Sequence, residues 1–278
     1  MKLKITYQGV PGAYSHIAAQ EIFPNAEYIS CETFELAMKK VQDGDADFAM
    51  IPVENSCAGR VVDVHFLLPK MNLFIVGEYY LRVEHQLLAV KGSKLEDIVL
   101  ASSHPQALSQ CSEFLKKYNI LSEARIDTAK SCEDIKKNND KTKAAIASKL
   151  AAKIYDLDIL ASNIENAQNN TTRFLILSSS HDVPKISDDK FITSFVFKVK
   201  SIPAALYKAL GGFATNGINI VKLESYLLDG KFVAAQFYVE AECHPSSEAF
   251  KNAFEELKFF SNSEGVKILG TYKKGSYR

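Results

Sequence analysis

Four short polar clusters in this sequence carry side chains suited to holding and polarising an acidic small molecule. The first, Gln8-Gly9-Val10-Pro11-Gly12-Ala13-Tyr14-Ser15, is a glycine-rich turn opening a helix, whose backbone N–H groups can face an anion. It lacks the GxGxxG spacing of a dinucleotide site, and taken alone it reads equally well as a plain tight turn. The second, Pro52-Val53-Glu54-Asn55-Ser56, follows the most apolar stretch of the chain. Asn55 both donates and accepts and Ser56 donates, although the pair could equally cap a following helix. The third is Ser102-Ser103-His104-Pro105-Gln106, continuing to Gln110-Cys111. Pro105 suits a first helical turn with Ser103 or His104 near the cap, and Gln106 and Gln110 share one face. His104 is a general-base candidate, set against the commoner capping role of a histidine at a helix start. The fourth, Asn169-Asn170-Thr171-Thr172-Arg173-Phe174, puts two amides, two hydroxyls and a guanidinium at the mouth of an apolar strand. Arg is the natural fork for a carboxylate, and the alternative is a solvated Arg on a surface turn.

The motifs that are missing narrow the chemistry. No HExxH, GxSxG, Walker lysine loop or spaced Cys/His set occurs. The five cysteines are an odd number without a CxxC pair, which argues against a disulfide framework and a structural zinc. Hydroxyl, amide and guanidinium donors suit a carboxylated small molecule and a reaction that asks for positioning and charge stabilisation.

The elements that must position these clusters alternate over the first two thirds of the chain. Strands are expected at Leu3 to Gln8, Ala26 to Cys31 and Ala46 to Val53. The intervening helices run from Ala13 to Phe23, with Ile17, Ala18 and Ile22 on one side, and from the Thr33 cap to Asp43-Gly44. This βαβαβ rhythm predicts a parallel, doubly wound sheet with the clusters at strand ends. Leu73 to Val90 reads as strands crossing to a neighbouring lobe, and Val99 to Ser102 as another strand. Helices are expected at Gln106 to Tyr118 and, from its alanine content, at Lys141 to Ala152. An apolar strand follows at Phe174 to Leu177. Ser178 to Lys190 loses all periodicity, placing a linker at 181–190. Beyond it the order is a strand (Phe191 to Lys200), a helix (Ala204 to Asn216), a hairpin about Asp229-Gly230 (Ile218 to Leu228 with Lys231 to Glu242), a helix (Ser246 to Phe260) and a strand (Val266 to Tyr272). That βαββαβ order is ferredoxin-like.

Composition sets the outer limits. A chain of 278 residues, 47% apolar and 24% charged, suits a globular protein of two domains. Equal numbers of basic and acidic residues, 33 each, argue against a nucleic-acid partner. No apolar run reaches the ~18 residues of a membrane span, and the opening residues hold no signal-peptide core, so a cytoplasmic location is expected.

The four clusters, in this order, resemble the prephenate dehydratase family. The matching stretches are Gln8-Gly9 with Gly12-Ala13-Tyr14-Ser15, Pro52 to Ser56, Ser103-His104-Pro105-Gln106 with Gln110-Cys111, and Thr172-Arg173-Phe174. The part after the linker resembles an ACT domain, a ligand-sensing module. The resemblance covers the chain from about Lys2 to about Tyr272, and the short start implies a monofunctional enzyme without a fused mutase.

What the resemblance implies is an α/β protein with a two-lobed, periplasmic-binding-protein-like catalytic domain of doubly wound sheets at 1–180. Lobe 1 would be about 1–80 and 163–180, lobe 2 about 81–162, and the ACT domain 191–278. The implied reaction converts prephenate to phenylpyruvate, water and carbon dioxide for L-phenylalanine synthesis, without metal or cofactor. Catalytic positions fall on Thr172, Arg173, Asn55, Ser103 and Gln110. Thr172 would donate toward the leaving hydroxyl, and Arg173 would anchor a carboxylate or stabilise the network. Substrate-binding positions fall on Gly12, Ala13, Tyr14, Ser15, Glu54, Ser56, His104, Gln106, Thr171 and Phe174. Effector positions for L-phenylalanine are Pro203, Ala204, Ala205, Leu206, Asn219, Glu224 and Ser225. The family's Pro-Gly-Ala-Leu and Glu-Ser-Arg-Pro segments here read Pro203-Ala204-Ala205-Leu206 and Glu224-Ser225-Tyr226-Leu227. A homodimer or homotetramer is implied. An arogenate dehydratase and a non-catalytic small-molecule sensor on the same scaffold are the alternatives.

Overall fold

A computed structural model of the chain describes residues 2–187, 189–200, 202–227 and 234–277, without the side chains of 234, 235 and 262–264. The expected turn at Asp229-Gly230 lies outside the described residues. Two compact units emerge: Met1–His65 with Tyr79–Leu175, and Phe66–Glu78 with Ile176–Arg278.

The first unit opens with β1 (Lys4–Gln8), α1 (Tyr14–Ile22), β2 (Glu27–Cys31), α2 (Phe34–Gln42) and β3 (Phe48–Asn55). As expected, β1 pairs in parallel with both β2 and β3. Thr33 caps α2 by accepting the Leu36 N–H, and Asp43-Gly44 ends it, Gly44 at φ +83°. The face expected for α1 is only partly right: Ala18 is buried together with Ser15, His16 and Ala19. After β3 the chain doubles back as β4 (Gly59–Arg60), antiparallel to β3, and continues through α3 (Val62–Leu67) to β5 (Phe74–Arg82).

Lobe 2 comprises β6 (Gln86–Ala89), β7 (Leu100–Ser103), α4 (Pro105–Gln110), α5 (Ser112–Lys117), β8 (Leu121–Ala124), α6 (Thr128–Asn138), β9 (Lys143–Ala147), α7 (Lys149–Ile154) and β10 (Asp158–Ala161). The chain then returns as β11 (Thr171–Ser178) to the first sheet, whose order is β2-β1-β3-β11-β5, with β4 beside β3. The second sheet has the order β10-β6-β9-β7-β8. Both lobes are α/β, but the sheets are mixed: β6 runs antiparallel to β9 and β10, while β7 is parallel to β8 and β9.

Two expected helices are corrected. Residues 143–147 form a central strand, and only Lys149–Ile154 of the alanine-rich run is helical, capped by Ser148. The reason is two-sided burial. Ala144 and Ile146 pack into one apolar cluster and Ala145 and Ala147 into the other, all four fully buried. Position in the middle of a sheet outweighs alanine's helix propensity. The helix expected from Gln106 to Tyr118 breaks at Cys111 (φ −112°, ψ 13°). Asn166, on the returning segment, donates its N–H to the Gln110 carbonyl (2.6 Å) and accepts the Glu113 N–H (3.1 Å). Its insertion takes the carbonyl that the next helical turn would have used.

In the second unit, β12 (Phe191–Val199), α8 (Ala205–Thr215), β13 (Ile220–Leu227), β14 (Ala234–Ala241), α9 (Glu248–Phe260) and β15 (Ser261–Lys273) realise the βαββαβ order. The antiparallel sheet order β13-β14-β12-β15 is the ferredoxin-like one. Phe195, Phe197, Phe237 and Val239 form its core with Ala209 and Phe213 of α8 and Leu257 of α9. Within the same unit, Lys267 Nζ donates to the carbonyls of Pro69 (3.1 Å) and Met71 (2.7 Å), tying the 66–78 segment to β15.

Candidate active site

A cavity of about 460 Å³ lies between the two lobes of the first unit. Its walls come from element ends: Gln8 at the end of β1, Asn55 at the end of β3, Tyr14 and Ser15 opening α1, Gln106 and Gln110 on α4, and Thr172 starting β11. Of the expected site residues, the cavity gathers Ala13, Tyr14, Ser15, Asn55, His104, Gln106, Gln110, Thr172 and Phe174.

A directed chain of hydrogen bonds links the central ones. The backbone N–H groups of Cys57 and Ala58 both donate to Asn55 Oδ1 at 3.0 Å. A backbone N–H can only donate, so Asn55 must turn its nitrogen the other way. Asn55 Nδ2 donates to Thr172 Oγ1 (2.9 Å) and to Asn170 Oδ1 (2.7 Å). Asn170 Nδ2 in turn donates to Gln110 Oε1 (2.9 Å). Thr172 Oγ1 is therefore an acceptor toward the protein, which leaves its own O–H to donate into the cavity. The same logic turns the Gln110 amide nitrogen toward the cavity.

Other expected residues are placed elsewhere. Strand alternation puts Thr172 and Phe174 on the cavity side and Arg173 on the other. Arg173 is 2% exposed and donates through Nη1 to Glu54 Oε1 at 3.0 Å, so its fork does not line the cavity. Ser103 is fully buried and donates to the Ile146 carbonyl (2.6 Å), tying β7 to β9. Ser56 fixes the start of β11: its Oγ donates to the Asn169 carbonyl and accepts the Thr171 N–H, both at 2.9 Å. Gly12, at φ +95°, leaves room for α7. A Cβ there would lie 2.8 Å from Ala151 Cα, and Ser148 Oγ donates to the Gly12 carbonyl. His104 caps α4 by accepting the Gln106 N–H at 3.3 Å, while also lining the cavity.

Sequence reasoning missed His85, Asn170, Arg60 and Asp127. Arg60 and Asp127 line the cavity, as does His85. Asn170 lay in a recognised cluster but was not singled out. The polar stretch Glu84-His85-Gln86 interrupts the largely apolar 73–90 run, and that interruption is the sequence signal for His85. Burial lowers the pKa of His85, against the opposing pull of Gln110 and Glu165, and raises that of Tyr14 well above its ordinary value. Among the described residues, no three His, Cys, Asp or Glu side chains gather as a metal set.

In the second unit, Pro203 and Ala204 are exposed, Ala205 is buried and Leu206 packs partly against the core. Ala204 sits at φ +60°, ψ 20°, at the N-terminus of α8. Asn219 donates to Glu242 Oε2 (3.1 Å), Glu224 lies 3.7 Å from Lys222 Nζ, and Ser225 is exposed.

Comparison with known proteins places this geometry. The family model of prephenate dehydratase matches residues 5–182. A bifunctional N-acyl-homoserine lactone acylase/prephenate dehydratase from Komagataeibacter europaeus is 42% identical over 99% of this chain and 97% of its own. Arogenate dehydratase 2 of Petunia hybrida is 39% identical, over 99% of this chain and 73% of its own. The solved prephenate dehydratase of Arthrobacter aurescens in complex with L-Phe superposes with a TM-score of 0.91. It is 26% identical and the match spans 99% of this chain and 92% of that one. With the four clusters, the two-lobed cavity and these relatives in agreement, the chain belongs to the prephenate dehydratase family of lyases.

Proposed function

We propose that the chain converts prephenate to phenylpyruvate, carbon dioxide and water. The observation that carries this reading is the direction of the Asn55–Thr172 hydrogen bond, which presents the threonine hydroxyl as a donor inside the cavity. In the reaction the ring C–C bond to the carboxylate breaks and its electron pair enters the ring. The C–O bond to the hydroxyl breaks with it, and the departing hydroxide takes up one proton to leave as water. The aromatic ring that forms supplies the driving force, so the site has to orient the substrate and stabilise charge on the leaving oxygen. Thr172 is too weak an acid to protonate it alone. As a fixed donor it stabilises the developing hydroxide while Gln110 holds a second polar contact.

The substrate's carboxylates have two seats of suitable charge. The N-terminus of α1 has no side-chain cap at Ala13, which leaves its positive dipole end facing the cavity beside Tyr14 and Ser15. Arg60 is the guanidinium lining the cavity. Asp127 favours a second reading, arogenate as substrate, because a lining carboxylate suits an ammonium where prephenate carries a keto oxygen. Turnover of prephenate and of arogenate at equal concentration, followed by appearance of phenylpyruvate or phenylalanine, tests both. Absence of turnover with either would leave the sensor reading standing.

We assign catalysis to 1–180, the linker to 181–190 and effector binding to 191–278. Support for L-phenylalanine as effector comes from the ferredoxin-like fold and from the L-Phe complex of the Arthrobacter relative. Titration calorimetry with L-phenylalanine, run beside its effect on rate, checks this. The absence of both heat and inhibition would refute it.

A further inference from the structure

The hydrogen-bond chain continues beyond Gln110. Its Oε1, already accepting from Asn170, also lies 2.9 Å from His85 Nε2. Because that oxygen can only accept, His85 must carry its hydrogen on Nε2. In the neutral ring Nδ1 then holds a lone pair, and the Tyr14 hydroxyl, 2.9 Å from both Nδ1 and the Glu84 carbonyl, shares its one proton between them. The polarity fixed by two backbone N–H groups on the 55–58 turn thus propagates through three amides to one histidine tautomer. The His85 backbone is held as well. Its N–H donates to Glu165 Oε2 (2.9 Å), and its carbonyl accepts from the Ile164 N–H (3.0 Å). The residue is 2% exposed.

Resting on the reading of this cavity as the dehydratase active site, we propose that His85 is a positioning residue acting through Gln110. Its Nε2–H pins the amide oxygen inward so that the amide nitrogen faces the reacting molecule. The titratable groups acting on the ring are Tyr14 and Glu165, the latter 3.9 Å from Arg82 Nη2, and those acting on Tyr14 are Cys111, Glu165, Cys132 and Glu84. The Glu84 carbonyl lies 2.9 Å from the Tyr14 hydroxyl and competes for its proton. Burial keeps the ring neutral near pH 7, the state in which the tautomer matters. Without His85, Gln110 keeps only the Asn170 contact on its oxygen, and the amide turns more readily toward the orientation that would repel the departing hydroxide instead of donating to it.

Glutamine at position 85 reproduces both ends of the contact, since its amide nitrogen donates to Gln110 and its oxygen accepts from Tyr14. Leucine reproduces neither. His85→Leu is expected to lower kcat by about 10- to 100-fold, and His85→Gln to recover most of that loss. In a Gln110→Ala background, His85→Leu should add little, because the pair acts as one unit. A loss that persists undiminished in that background overturns the proposal. The readout independent of activity is the 15N NMR spectrum of the histidine-labelled full chain, with the His85 signals identified by their loss in His85→Gln. The expected result is the Nε2–H tautomer in the wild type. An Nδ1–H ring in the wild type refutes the assignment even if the enzyme turns over, and absence of turnover leaves this measurement intact.

Discussion

Thr172 and Arg173 are neighbours in the chain and serve opposite faces of one strand. The hydroxyl receives the Asn55 amide and keeps its own proton for the cavity, while the guanidinium is buried against Glu54. A buried Arg paired in this way joins β3 to β11. Thr172→Ala is expected to lower kcat by about 10²-fold with KM changed only slightly, the pattern of a contact made mainly in the transition state. Thr172→Ser, which keeps the hydroxyl, should retain most of the activity. Steady-state kinetics on both variants checks this, and near-wild-type turnover of Thr172→Ala removes the residue from the mechanism.

Among the elements, two helix starts carry opposite lessons about backbone conformation. The loop before α1 needs glycine at position 12, where φ is +95° and α7 leaves no space for a methyl. Gly12→Ala is therefore expected to lower the unfolding free energy by about 1–3 kcal/mol, read as a shift of the urea midpoint. Before α8 the chain holds a left-handed alanine, Ala204 at φ +60°, where the family pattern has glycine. Ala204→Gly should stabilise the fold by about 1 kcal/mol, visible as a higher midpoint with unchanged slope. Strands, caps and turns are legible because their signals are local: Thr33 three residues before the amide it caps, Gly44 after α2, the aromatic and β-branched run of β12. The helices expected at 106–118 and 141–152 were misread because Asn166 and the two apolar clusters around β9 act from a distance in sequence.

For the molecule as a whole, acid sensitivity follows from its buried and half-buried histidines. Burial lowers the pKa of His16, His85 and His181 in the folded state. The unfolded chain then binds more protons than the folded one below about pH 6.5. Their contribution to stability is complete above that pH and is lost as pH falls through the histidine range. The partner-stabilised carboxylates of Glu123, Asp140, Asp156, Asp189 and Glu242, whose pKa values are lowered, add a second loss at more acid pH, below about 4. Denaturant midpoints measured from pH 8 to pH 2 should fall in two stages, the first beginning near pH 6.5 and the second below about pH 4. A flat profile between pH 7 and pH 5 contradicts the histidine part.

Sequence alone determined which donors the chain owns, that they cluster at strand ends, and that an α/β part precedes a βαββαβ part, because these follow from local periodicity and motif order. Tertiary structure decided which donors face the cavity. A strand shows its alternate residues to opposite sides, so Thr172 and Arg173 separate only once β11 lies beside β3. The direction of each amide was likewise open until Asn55 met two backbone N–H groups and Gln110 met both Asn170 and His85. Hydrogen-bond polarity depends on which partner arrives, and these partners come from segments as many as 117 residues apart.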